Sequence, residues 1–102
     1  MSAAKQKAQQ IIAQNSVVVF SKSYCPYCRA SKALLNEKHA KFFLMELDEV
    51  EDGAALQDAL EEITGQRSVP NIFIAQQHIG GNSDLQAKKG ELDGLLQSAG
   101  AI

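Results

Sequence analysis

The chain holds two cysteines, Cys25 and Cys28, and both lie in one short motif, Cys25-Pro26-Tyr27-Cys28. Two thiols so close can trade one disulfide with a substrate. A bridge between them would close only a tiny loop and add little stability. A secreted domain stapled by disulfides would spread several pairs over longer loops. As half of a zinc site the pair would need two further Cys or His ligands. The chain offers only His39 and His78, without ligand spacing, and these read as surface or strand-edge residues. No metal is expected, and thiol–disulfide exchange is the chemistry the spacing suits.

Exchange needs a thiolate as the attacking species. A helix start supplies free N–H groups and the positive end of the helix dipole, both of which favour an anion at Cys25. The dipole alone is worth ~0.3–1 kcal/mol, at most ~2. Lys22 and direct N–H bonds to the sulfur are therefore expected to add to it. Cys28, one helical turn further in, should be more buried and harder to ionise. That suits a resolving thiol, which attacks the mixed disulfide formed on Cys25.

The surrounding pattern must place these thiols at a strand-to-helix junction. Ala4, Ala8, Ile11 and Ile12 recur at helical spacing up to about Gln14. Val17-Val18-Val19-Phe20 is a continuous apolar run, as a strand covered on both faces reads. A polar loop from Ser21 to Tyr24 leads to a helix through about Lys38, with Pro26 in its first turn. Ala30, Ala33 and Leu34 are expected on its inner face. Phe42 to Met45 predicts a second strand, and the acidic stretch Glu46 to Glu51 follows. Gly53 opens a helix with Leu56, Ala59, Leu60 and Ile63 inward, capped by Gly65. Val69-Pro70 leads to a strand over Asn71 to Ile74, then a turn at Ala75-Gln76-Gln77 and a strand at His78-Ile79. A last helical segment follows Gly80-Gly81, with Ser83 as its N-cap. Gly90 interrupts it before an inner stripe of Leu92, Leu95, Leu96 and Ala99.

With 102 residues, 45% hydrophobic and 22% charged, the chain is expected to be one α/β domain spanning 1–102. A net charge of -2 gives no reason to expect nucleic acid or an anionic membrane as partner. No apolar run approaches a membrane span or a secretory h-region. The segment before Asn15 lacks acids and carries Lys5 and Lys7, faintly like a transit peptide, but it has no Arg and its apolar positions suit a domain helix. A reducing cytoplasm is the expected compartment, with a mitochondrial form as the alternative.

Several motifs now coincide. Cys25-Pro26-Tyr27-Cys28, Ser68-Val69-Pro70, Gly80-Gly81-Asn82-Ser83-Asp84 and the basic Lys22 stand in the order and spacing of the dithiol glutaredoxins, which the chain resembles over essentially its whole length. Two departures are visible. Ser68 stands where the family has Thr, which keeps the hydroxyl. The Ala75-Gln76-Gln77 turn replaces an Asn-Gly followed by a basic residue, so the best tight-turn signal is absent.

The resemblance implies a thioredoxin-like fold, a central four-stranded mixed sheet with helices on both faces. It implies a monomeric enzyme with no tightly bound cofactor. Glutathione would be its co-substrate, and disulfide-containing or glutathionylated proteins its partners. Glutathione reductase with NADPH would act indirectly. It also implies a cis Pro70 that presents the Val69 backbone to substrate, where an ordinary trans Pro opening an edge strand is the alternative.

Glutathione needs cations and amide donors at one end and a carboxylate at the other. Lys22, Gln57 and Arg67 would meet the glycyl carboxylate, unless Gln57 and Arg67 are simply solvated. Ser83 would bind the γ-glutamyl carboxylate, Asp84 its ammonium, and Tyr27 would form a wall. As a bland alternative, Asp84 is a first-turn helix acid. Gly80 and Gly81 would let the ligand approach the backbone.

Other functions fit less well. A thioredoxin-type reductase is expected to carry Trp-Cys-Gly-Pro-Cys, and this chain has no Trp. Cluster-binding members of the resembled family usually have Gly or Ser where Pro26 stands. A non-catalytic binding module would have no use for two cysteines at a helix start.

Overall fold

The computed structural model describes residues 2–102. The elements run α1 (Ala3–Gln14), β1 (Val17–Ser21), α2 (Pro26–Glu37), β2 (Phe43–Glu46), α3 (Gly53–Thr64), β3 (Asn71–Ile74), β4 (Gln77–Gly80), α4 (Asn82–Ala87) and α5 (Leu92–Ala99). The strands form one sheet in the order β2-β1-β3-β4. β1 pairs parallel with β2 and antiparallel with β3, and β3 pairs antiparallel with β4. The sheet is mixed and four-stranded, as the thioredoxin-like reading requires.

Every residue of β1 is buried, which is why its sequence shows no polar alternation. Its side chains split between two cores. Val17 and Val19 pack with Leu34 and Leu35 of α2, Leu85 of α4, and Leu92 and Leu96 of α5. Val18 and Phe20 pack on the other face with Ala8 and Ile12 of α1 and Leu56 and Leu60 of α3. Helices thus cover both faces, and the loop after β1 emerges between them at one end of the sheet.

Four local expectations need correction. Ala30 and Ala33 are exposed, and the inner face of α2 is Cys28, Ser31, Leu34 and Leu35. Alanine gains little by burial and so marks a helix face poorly. Ser31 is buried because Asn82 Oδ1 accepts its hydroxyl at 2.9 Å. Ser83 is not the cap of α4; Gly81 holds that position, and Asp84 Oδ2 accepts the Gly81 N–H at 2.9 Å. The break before α5 begins after Ala87, ahead of Gly90. Gln77 belongs to β4, leaving a two-residue turn of Ala75 and Gln76, both with positive φ, 50° and 64°. This is the geometry Asn-Gly would favour. Tertiary bonds hold it here: the Ala75 N–H donates to Ser16 O at 2.8 Å, and Gln76 Nε2 donates to Asn15 O at 3.3 Å.

Candidate active site

Cys25 is the N-cap of α2, and Pro26 occupies the first turn. An N-cap side chain ordinarily offers oxygen to the unpaired N–H groups of the first turn. Here sulfur does so: the Cys28 N–H donates to Cys25 Sγ at 3.2 Å. The Cys25 thiol reaches the Val69 carbonyl at 3.9 Å on its other side. Cys25 is partly exposed and Cys28 fully buried, and the two are not bonded to each other as a disulfide. Burial pushes the Cys28 thiol up, and its hydrogen bond with Cys25 adds to this. Contacts with the Ser21 hydroxyl and the Lys22 backbone pull partly back. An accessible sulfur that accepts the Cys28 N–H, backed by a buried second thiol, can form and then resolve a mixed disulfide.

The Val69–Pro70 peptide bond is cis. Beside it lies a cavity of about 450 Å³ lined by Tyr27, Gln66, Ser68, Val69, Pro70, Gly81, Asn82, Ser83 and Asp84. That volume is in the range of small-molecule sites. Tyr27 stands 68% exposed at its rim. Asp84 is a capping acid, yet its carboxylate also faces the cavity. Gly80, with φ at 121°, admits no side chain without strain, and a Cβ there would lie 2.3 Å from Asp84 Oδ2. The backbone conformation alone requires glycine here, and the Asp84 carboxylate also fills the room that a Cβ would take.

Lys22, Gln57 and Arg67 do not line this cavity. The Lys22 charge acts on Asp48, whose carboxyl is held low chiefly by the Ser23 hydroxyl and amide, with Lys22 the smallest contributor. Gln57 Nε2 donates to Arg67 O at 2.9 Å. Arg67 Nη1 pairs with Asp58 and, at 3.3 Å, with Glu61. Its remaining guanidinium hydrogens are still available to an anion.

Three residues that shape the site escaped sequence reasoning. Asp48 accepts both the N–H and the hydroxyl of Ser23, anchoring the loop that leads to Cys25. Asn82 joins α4 to α2 through Ser31. Gln66 Nε2 donates to Ser68 O at 3.1 Å and Pro70 O at 3.0 Å. For Gln66 a signal existed: a loop ending in Pro leaves carbonyls without strand partners, and an amide just before it can serve them. His39 is exposed, and His78 pairs with Asn71 Oδ1 at 2.9 Å. Among the described residues no three His, Cys, Asp or Glu side chains gather as metal ligands. No described helix is long and apolar enough to cross a membrane.

Comparison with known proteins bears on this geometry. The glutaredoxin family model matches residues 17–79. Glutaredoxin-C2 of Arabidopsis thaliana is 54% identical over 102 residues, covering 97% of this chain and 91% of the relative. A Vernicia fordii glutaredoxin is 52% identical over 98 residues, with 94% of each chain covered. Among solved structures, a buckwheat glutaredoxin–glutathione complex superposes with TM-score 0.94 at 48% identity, covering 97% of this chain and 92% of that one. Wheat glutaredoxin superposes at 0.95 with 51% identity, covering 98% and 96%. The match spans both the cysteine motif and the Val69–Pro70 loop, and with identities this high the chain belongs to the glutaredoxin family.

Proposed function

We propose that the chain, acting as one domain, is a glutathione-dependent thiol–disulfide oxidoreductase. It reduces protein disulfides and glutathione mixed disulfides. The observation that carries the reading is the Cys25 sulfur, accessible at the start of α2, holding the Cys28 N–H at 3.2 Å and bordering Val69. Family membership and the glutathione bound by the buckwheat relative support the same reading.

The Cys25 thiolate attacks one sulfur of the target disulfide, the target's other sulfur leaves as thiolate, and a mixed disulfide forms on Cys25. For a protein disulfide, Cys28 loses its proton and attacks Cys25 Sγ, releasing the second target thiol and leaving a Cys25–Cys28 disulfide. Two glutathione molecules then restore both thiols and leave as oxidised glutathione, which glutathione reductase reduces with NADPH. For a glutathionylated target, Cys25 takes the glutathionyl group directly and a second glutathione removes it.

In this reading glutathione lies in the cavity beside Tyr27. Its cysteinyl backbone pairs with Val69 next to Pro70, and its γ-glutamyl end meets Ser83 and Asp84 over Gly81. Its glycyl carboxylate extends toward Lys22, Gln57 and Arg67, where the spare guanidinium hydrogens compete with Asp58 and Glu61. The protein works as a monomer with no tightly bound cofactor, in a reducing compartment such as the cytoplasm, which keeps both thiols free.

A coupled assay tests this. Purified protein with glutathione, glutathione reductase and a glutathionylated peptide is expected to consume NADPH, and mass spectrometry to find a glutathione adduct on Cys25. A protein that forms no adduct and consumes no NADPH overturns the assignment.

A further inference from the structure

The segment between α3 and β3 poses a problem that one side chain solves. Its carbonyls precede the first residue of β3, so the sheet offers them no partner, and Pro70 brings no N–H. Gln66 Nε2 carries two hydrogens, and they go to Ser68 O and Pro70 O, the carbonyls on either side of Val69. With both drawn to one amide, the Val69 carbonyl is left for the Cys25 side, where the thiol reaches it. The Val69 N–H has no partner among the described residues.

Gln66 is itself held. Its N–H donates to Thr64 Oγ1 at 3.0 Å, and its carbonyl accepts from Asn71 Nδ2 at 3.4 Å. Asn71 is buried and bonded in turn to His78. A hydrogen-bonded path therefore runs from the sheet to the loop, and Gln66 lines the same cavity as Val69.

We propose that Gln66 is a positioning residue, fixing the Val69 N–H and C=O in the orientation that pairs with the extended backbone flanking the sulfur under attack. The proposal rests on the oxidoreductase reading above and adds to it the residue that prepares the strand-like docking edge. Misorienting such an edge weakens binding of substrate and transition state together, so the loss falls on KM more than on kcat.

The test replaces Gln66 by Glu, which keeps the length but sets oxygen against both carbonyls, and separately by Met, which keeps the length without a donor. Wild type is assayed in parallel with a glutathionylated peptide, glutathione and glutathione reductase. Both variants are expected to raise KM for the peptide about tenfold with little change in kcat, within the ~100-fold that misplacing a positioning group can cost. If Gln66→Glu does not fold, Gln66→Met carries the same reading. A merely structural role would lower the melting temperature and leave KM unchanged, and that result overturns the proposal while wild-type turnover still stands. An inactive wild type overturns the oxidoreductase reading and this inference with it.

Discussion

The Cys28 amide donates to Cys25 Sγ at 3.2 Å, while the Cys28 thiol itself is wholly buried behind it. One residue thus steadies the exposed sulfur through its backbone and holds a neutral thiol in reserve through its side chain.

The two parts of Cys28 can be separated by substitution. Cys28→Ser keeps the amide and removes the thiol, so reduction of a glutathionylated peptide should continue while reduction of a protein disulfide falls to background. Cys25→Ser should lose both activities. Steady-state rates with the two substrates decide this; a Cys28→Ser protein that loses both contradicts the division of roles, and a Cys25→Ser protein that retains either removes Cys25 as nucleophile.

Asp48 should make the approach to Cys25 acid-sensitive. Its carboxyl is held below the ordinary value of 3.8, chiefly by the Ser23 hydroxyl and amide. A carboxyl lowered in the folded state contributes stability above its unfolded value and loses it as pH falls through the folded one. Asp48→Asn should therefore be less stable than wild type near neutrality, and the gap should close as pH falls below about 4. Urea denaturation across that range checks it. A gap of constant size down to about pH 3 would contradict the linkage.

The hairpin turn carries a removable strain. Ala75 sits at φ 50°, a left-handed conformation that costs an ordinary residue about 1 kcal/mol and that Asn tolerates better. Ala75 is exposed and its N–H bond to Ser16 O does not involve its side chain. Ala75→Asn is thus expected to stabilise the protein by about 0.5–1 kcal/mol, read as a higher urea midpoint with unchanged slope. An unchanged or lower midpoint would mean that Ala75 carries no strain for Asn to relieve.

Much of this molecule is legible along the chain. The unbroken Val17–Phe20 run announces a strand with helices on both sides, and Cys25-Pro26 announces a helix start, because burial period and capping act between near neighbours. Gly65 as a left-handed cap was legible for the same reason, and its φ is 80°. Cys28 one turn further in could be foreseen as the buried thiol from helix geometry alone.

The destinations of the polar side chains were not legible. Lys22 lies by Asp48, Arg67 by Asp58 and Glu61, and Ser31 is buried against Asn82. Gln66 finds the carbonyls around Val69. Apolar residues need only an interior, so their periodicity reveals their fate. Hydrogen-bonding and charged groups need particular partners at about 3 Å. For most of these groups the partners are supplied by other segments of the chain, so folding selects them and local pattern does not.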